Sequence, residues 1–430
     1  MSKDRNKTGG RTDRSSSGGP LSIGLIGVTG YGESYFASLQ PIVRSGRLRW
    51  GAVTIINPEE APKQVEYFQS EGVPIYRDYI EMLDAEKERL DWVAIPTGIG
   101  WHRKMTIDCL ERGIPVLVEK PVAPTLQDIQ LMKEAQERSG LPVAVGYQHI
   151  YQDEVRDIKK HLLDGAIGEI REIDAFALWP RAKSYYSRNR WSGRMHDGHS
   201  WVLDSPMHNA NAHISNLVLF FAGSTQNGRG HMNTLRSETY RCKPIASFDT
   251  VRAEVEFKEG IVGRMTFSHS CVSHMDPGIR ITGTKGSLTW RFCNVHTLRN
   301  ASGVKTFTGR DHHPMRDYML EQLVDYFEGK PVDVVTIDQA AGVSALVNAI
   351  HDAGPIHDIP EASVSHLRMP LGDELYAIEN MEYFGVRAFV EGKSFKELGA
   401  PWAAELSERD VSNYTAFEGK YYPYPLPPIP

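Results

Sequence analysis

Between Leu21 and Tyr147 short apolar runs alternate with amphipathic stretches, and this rhythm confines the chain to few architectures. Strand-length runs separated by helix-length segments read as parallel strands joined by crossover helices. The pattern predicts strands over Leu21–Gly27, Leu48–Ile56, Pro74–Tyr76, Leu90–Ile95, Pro115–Val118 and Pro142–Tyr147. Helices are predicted through Leu83, over His102–Arg112 and over Thr125–Ser139. A doubly wound parallel sheet follows, and such sheets bind ligands beyond the carboxyl ends of their strands. The residues just after each run are therefore the first candidates for a site.

Beyond Gln148 the texture changes. One helical stretch, Asp153–Asp164, precedes runs that alternate apolar and polar residues over Ile170–Trp179, Thr250–Glu259, Ile261–Ser270, Gly278–Thr282 and Ser287–Arg291. Period-two alternation predicts a mainly antiparallel open sheet, with Lys258-Glu259-Gly260 as a hairpin turn. Helices are expected to resume over Arg316–Glu328 and Ile337–Asp352. At 430 residues the chain exceeds one ordinary core. We divide it into a polar disordered arm (1–20), a dinucleotide-binding domain (21–147), a substrate and oligomerisation domain of the α+β type (148–360) and a C-terminal extension (361–430) ending in a Tyr/Pro-rich string.

Net charge −6 offers no basic surface for nucleic acid, and no apolar run approaches the roughly 20 residues of a membrane span. The start lacks a signal-peptide core, so a cytoplasmic protein with a small-molecule partner is expected. Cys109, Cys242, Cys271 and Cys293 are too widely spaced for a zinc motif and are read as free thiols. His196, His199, His208 and His213 cluster, but no cysteine or carboxylate pattern completes a site, so no metal is expected.

The string GLIGVTGYG follows the first run and opens a helix, the setting of the Rossmann glycine turn. A pyrophosphate there would meet backbone N–H groups and the positive end of a helix. Gly27, Thr29 and Gly32 occupy the GxGxxG positions, with Gly30 and Tyr31 between them. At the end of the second strand Asn57 stands where an acidic residue would hold ribose hydroxyls. Glu59 and Glu60 beside it would repel a 2′-phosphate, so NAD is expected over NADP. VLVEKP, Val116–Pro121, ends a parallel strand with Glu119 and Lys120, a poor place for a merely solvated pair. Tyr147 and His149, at the end of the last parallel strand, are also placed to meet substrate.

With these motifs the chain resembles the Gfo/Idh/MocA oxidoreductases over Leu21–Ala353. The resemblance also rests on Asp91–Ile95 with His102 just after it, on Gly146–Gln148, on DSPMHNAN at Asp204–Asn211 and on ITGTKGSL at Ile281–Leu288. It implies hydride transfer between a nicotinamide and a sugar, inositol or related polyol. Thr97 and His102 would border the cofactor, and His208 would accept the hydroxyl proton while Lys120 polarises the same oxygen and Asp204 orients the histidine or a neighbouring hydroxyl. Asn211 takes the place of the family's third motif residue, an aspartate. The residue types alone leave the base open between Lys120 and His208. Trp191 and Arg194 are candidates to line a sugar pocket, with core packing an equal reading for the tryptophan. Two other functions fit the same residues: glycoside cleavage by transient oxidation and elimination, and non-catalytic sensing of the dinucleotide. A dimer or tetramer is expected, formed through an apolar outer face of the second sheet that the chain's own helices leave uncovered.

Overall fold

The computed structural model describes residues 19–292, 295–309 and 315–422; nearly all of the expected N-terminal arm, Cys293 and residues 423–430 of the Tyr/Pro-rich end lie outside the described residues. The chain divides into two compact units. In the first, β1 (Leu21–Ile26), β2 (Leu48–Thr54), β3 (Ile75–Tyr76), β4 (Trp92–Ile95), β5 (Val116–Val118) and β6 (Val143–Val145) form a parallel sheet in the order β3-β2-β1-β4-β5-β6. Every residue of β4, β5 and β6 is buried, as continuous apolar runs covered on both faces must be. The connections are α1 (Tyr31–Arg44), α2 (Pro62–Ser70), α3 (Tyr79–Glu86), α4 (Ile99–Glu111) and α5 (Leu126–Ser139). Asp78 starts α3 by accepting the N–H groups of Ile80 and Glu81. Strand order reverses between β1 and β4, so the turns after those strands border the crevice where such sheets bind ligands.

The second unit holds α6 (Asp153–Leu163), β7 (Ile170–Leu178), α7 (Lys183–Ser187), α8 (Ala212–Ala222), β8 (Met232–Arg241), β9 (Thr250–Phe257), β10 (Val262–Ser268), β11 (Met275–Gly283), β12 (Gly286–Arg291), β13 (Val295–Asn300) and β14 (Gly303–Thr308). Its sheet runs β14-β13-β12-β11-β7-β10-β9-β8-β15, with β15 at His357–Asp358, and is mixed rather than purely antiparallel, because β10 lies parallel to β7. Alternation decides its faces. Ile173, Ala175 and Ala177 of β7 are buried on one side, and α8, buried at every residue but His213, packs against β7 and β10.

α9 (Met315–Phe327) then returns to the first unit, which takes in Asp128–Tyr151 and the described part of His313–Ile337, a stretch assigned by sequence to the second domain. Phe327 stacks on Trp92 with ring centroids 4.8 Å apart, Arg47 pairs with Asp325 at 2.6 Å and Glu328 at 2.8 Å, and Val145 donates its N–H to the Val335 carbonyl. The remaining elements are α10 (Ile337–Ala353), β15 (His357–Asp358), the hairpin of β16 (Val364–Arg368) and β17 (Glu374–Ile378), α11 (Met381–Glu391) and β18 (Ser407–Asp410), which adds to β8.

The outer face of the second sheet differs from expectation. Far from apolar throughout, it carries an ion lattice in which Arg264 meets Glu254, Glu172 and Asp174, and Arg280 also reaches Asp174. Nor is it left uncovered, because the chain's own α11 and the segment after it lie on it. Phe176, Leu178 and Tyr240 from the strands share a core with Met381, Phe384, Phe395, Leu398 and Trp402. Arg252, buried beneath, donates to the Gly392 and Lys393 carbonyls at the end of α11. The C-terminal extension thus occupies the surface on which the oligomer argument rested.

Trp402 presents its ring edgewise to Tyr240 at 4.9 Å and packs on Phe395 at 5.0 Å. Its replacement by alanine should cost about 3–5 kcal/mol, the usual loss for a large aromatic in a packed core. Urea unfolding measures this; a change below 1 kcal/mol would show that the extension adds little to the fold.

Candidate functional site

In the first unit the candidate residues start from the turn after β1. Gly27 and Gly30 adopt φ of 89° and 58°, the left-handed region that glycine enters without penalty. At Gly32 the constraint is space, since a Cβ there would lie 2.3 Å from the Gly27 carbonyl oxygen. The turn therefore brings backbone to backbone, with Thr29, Gly30 and Tyr31 exposed and no side chain capping α1. N–H groups at that helix start are left to an anion, and this cradle fits a dinucleotide pyrophosphate. Past the end of β2, Ile56 is 68% exposed and Asn57 donates its amide to Glu60 at 2.8 Å. An apolar side chain in water beside a polar one suits the adenosine half of such a ligand.

Glu119 is the buried centre of the first unit's candidate site. Its Oε1 accepts the Tyr35 hydroxyl at 2.6 Å and its Oε2 accepts the Lys120 N–H at 2.9 Å. Burial pushes its pKa up, against the Lys120 charge and the Tyr35 hydrogen bond, which pull it down. Gly146 makes room, for a Cβ at that position would meet Oε1 at 2.6 Å. Lys120 is half-buried, and its peptide bond to Pro121 is cis. His102 is fully enclosed, with Nδ1 2.8 Å from the Pro121 carbonyl oxygen and Nε2 3.0 Å from that of Thr97. Burial depresses its pKa while the two carbonyls favour its protonation. His102 thus ties the loop after β4 to the loop after β5. Tyr147 is buried behind β6, its phenol pushed well up by burial and then by the Glu119 charge, and His149 is buried in the turn that follows.

Sequence reasoning missed Tyr35 and Arg316. Arg316 lies 4.9 Å over the Tyr31 ring and reaches the Ser34 carbonyl at 3.4 Å. Tyr35 had a local signal, one helical turn after Tyr31. Arg316 had none, because 285 residues separate it from Tyr31.

In the second unit the candidate residues lie between Trp191 and Asn211. Leu203 has φ 48°, an uncommon value for a side-chain-bearing residue, and both Val202 and Leu203 donate to the Met195 carbonyl. That constrained turn delivers Asp204, whose Oδ2 accepts the Gly193 N–H at 2.6 Å and whose Oδ1 accepts the Asn209 amide at 3.0 Å. His208 is buried, with Nδ1 3.2 Å from the Leu203 carbonyl oxygen and Nε2 3.4 Å from Ser344 Oγ on α10. Its neighbour His351 is held neutral, burial and the His208 charge taking its pKa down to about 3. Asn211 is wholly buried at the start of α8, and neither atom of its amide has a hydrogen-bond partner. A buried amide without partners is costly unless something polar meets it. Trp191 and Arg194 are half-buried, and the Arg194 carbonyl accepts the Asp204 N–H.

The clustered histidines do not converge: His196 packs edgewise on Trp201 and His199 is exposed, and among the described residues no group of three His, Cys, Asp or Glu could hold a metal. Trp201 in turn meets Phe417 and Tyr422 of the extension, each at 5.0 Å. That extension is pinned by buried Asp352, which accepts the Tyr414 hydroxyl and the Glu418 N–H.

Gly146→Ala should destabilise the first unit by about 1–3 kcal/mol, because the added carbon has to displace a fixed carboxylate. Tyr35→Phe should cost about 1–3 kcal/mol by removing a donor from a buried acceptor. Equilibrium unfolding of both variants checks this, and wild-type stability in either would show that Glu119 is not held as described.

The family model for an oxidoreductase family with an NAD-binding Rossmann fold matches residues 21–147, and that for the GFO/IDH/MocA C-terminal domain matches residues 155–289. D-apiose dehydrogenase of Paraburkholderia graminis is 37% identical over 94 residues, 22% of this chain but only 24% of that relative. Glucose-6-phosphate 3-dehydrogenase of Bacillus subtilis is 23% identical over 286 residues, 66% of this chain and 77% of the relative. Among solved structures, the WlbA dehydrogenase of Bordetella pertussis, in complex with NADH and UDP-GlcNAcA, superposes with a TM-score of 0.64 at 18% identity, over 77% of this chain and 96% of that one. Matched in succession by the family's two domains, with the same fold, the chain belongs to the Gfo/Idh/MocA oxidoreductases.

Proposed function

We propose that the protein is an NAD-dependent dehydrogenase that oxidises a secondary hydroxyl of a sugar, inositol or related polyol. The observation that carries this reading is Lys120, half-buried at a strand end and fixed there by a buried carboxylate, in the same unit as the glycine cradle. When bound, the nicotinamide supplies the hydride acceptor. The remaining chemistry is proton transfer, since the hydroxyl proton has to leave as the carbonyl forms.

His208 is suited to take that proton. A carbonyl oxygen can only accept, so the contact to Leu203 places the ring hydrogen on Nδ1 and leaves the lone pair on Nε2. Lys120 polarises the same substrate oxygen and stabilises negative charge on it. Asp204 acts as a positioning residue by holding Gly193 and Asn209. Asn211, Trp191, Arg194, Tyr147 and His149 are assigned to substrate hydroxyls and ring faces. Gly27, Thr29, Gly30, Tyr31 and Gly32 hold the pyrophosphate, Asn57 the ribose, and Thr97, His102 and Glu119 shape the loops around the nicotinamide.

The named relatives support the reaction class, since both are dehydrogenases of sugars or sugar derivatives. Net accumulation of NADH on a panel of sugars, inositols and glycosides tests it. Release of an aglycone without NADH would favour redox-assisted glycoside cleavage, and dinucleotide binding with no turnover would favour a sensor.

Lys120→Met should abolish turnover while leaving NAD affinity within about tenfold, and His208→Ala should slow the reaction by about 10²–10⁴-fold. Near-normal rates in either variant would remove that residue from the proton path. NAD should bind more tightly than NADP, because Glu59 and Glu60 are exposed beside Asn57. Fluorescence titration of both cofactors decides this, and tighter NADP would refute it.

A further inference from the structure

From Ala175 to His196 the chain contains no acidic residue but five basic ones: Arg181, Lys183, Arg188, Arg190 and Arg194. In a protein of net charge −6 this is a local reversal of sign, and the stretch leads directly into the turn that carries Asp204 and His208. Among the described residues, only Lys183 of these five has a carboxylate partner, Glu374 at 2.9 Å. The arginines of the sheet's outer face behave differently, since Arg236, Arg264 and Arg280 are each ion-paired.

Two of these guanidinium groups, those of Arg181 and Arg188, are nevertheless held in place. Arg188 lies 3.5 Å over the Tyr185 ring and 5.8 Å over Trp191, and Arg181 lies over Trp179 and over the same Tyr185 ring. Stacking fixes a guanidinium plane while leaving its N–H edge free to donate. Tyr185 connects this platform to the site, because its hydroxyl accepts from Asn209, which also donates to Asp204.

His269 adds a second, independent observation. It is 2% exposed, with Nδ1 3.2 Å from the Tyr186 hydroxyl and Nε2 without a hydrogen-bond partner; Arg181 Nε is likewise buried and unpartnered. With the Tyr186 O–H donating to Nδ1, the ring hydrogen sits on Nε2. The unused nitrogen groups at this platform are then all donors. Neighbouring acids do not answer them: the Asp249 oxygens take the N–H groups of Cys242 and Lys243 and the Thr250 hydroxyl, and Asp373 is engaged by Ser184. A neutral sugar hydroxyl both donates and accepts, whereas a carboxylate or phosphate only accepts.

We propose that Arg181 and Arg188, with His269 behind them, form an anion-recognition subsite, and that the substrate is a sugar or polyol bearing a carboxylate or a phosphate. The inference rests on the dehydrogenase reading for the rest of the substrate. The test is calorimetric titration of the full chain, with NADH present, using matched sets of glucose, galactose and myo-inositol with their uronate or phosphate counterparts. Charged members should bind at least tenfold more tightly than neutral ones, and the uronates and phosphates tested side by side identify which anion is preferred. Arg188→Gln and Arg181→Gln should each weaken the charged ligand at least tenfold, and Arg188→Lys should recover part of the loss. Equal binding of neutral and charged members, no binding by any member, or unchanged affinity in the arginine variants would overturn the proposal. So would a loss of NADH affinity in those variants in place of ligand affinity, which would assign the arginines to the cofactor. Circular dichroism of the variants separates misfolding from lost recognition; Arg188 is exposed, so its substitution spares the core. NADH formation on the same panel is read independently. Arginine-dependent anion binding without NADH would leave the subsite standing and sink the dehydrogenase reading, and NADH formation indifferent to charge would do the reverse.

Discussion

A single buried carboxylate sets the geometry of the candidate site in the first unit. Glu119 sits at the end of β5, where water is excluded, and an ionised carboxylate there is tolerable only if donors surround it. Tyr35 on α1, the Lys120 N–H and the space left by Gly146 after β6 meet that demand together. Helix α1 is thereby locked to the strand end that presents Lys120, and the glycine turn at the start of α1 is locked with it. His102 repeats the device with carbonyl oxygens, joining the loops after β4 and β5. Polar groups made costly by burial become fasteners once each has its partner.

The second unit solves the same problem with backbone. Leu203 is forced into a left-handed conformation and Asp204 is spent on a backbone N–H and an amide, so both act as supports for the segment that ends in His208 and Asn211. Helix α10 underlies this arrangement. Ser344 faces His208, Asn348 accepts the Leu126 N–H and donates to the Pro124 carbonyl, and Asp352 takes the groups of the extension. Residues eight apart on one helix thus connect the histidine to the C-terminal segment.

Much of this was legible in the sequence because its causes are local. Glycine at Gly27 and Gly30 is demanded by backbone angle, and the strands β1 to β6 by runs of apolar residues between helical stretches. The motif around Glu119 and Lys120 is contiguous and needs no folding to be seen. The long-range partners were not legible, since Arg316 meets Tyr31 and Ser344 meets His208 only through tertiary structure. Strand β8, MNTLRSETYR, is too polar to announce itself, and the burial of its Tyr240 is recognised only once Phe395 and Trp402 of the extension are seen to pack on it. The clearest misreading concerns the outer sheet face. Its alternation implied an uncovered surface, whereas the cover comes from α11, a helix more than 200 residues after β7 starts.

That remote cover has a consequence for biosynthesis. Translation delivers β7 early and α11 and Trp402 late, so Phe176, Leu178 and Tyr240 stay without their cover while the intervening elements are made. For that interval the sheet offers apolar groups beside an incompletely shielded ion lattice, the kind of surface on which nascent chains associate wrongly. The paired arginines and carboxylates on it keep the face hydrated while it waits. The same charges that disqualified this surface as an apolar interface thus act as a guard during synthesis, and burial of the lattice is deferred until the last helix arrives.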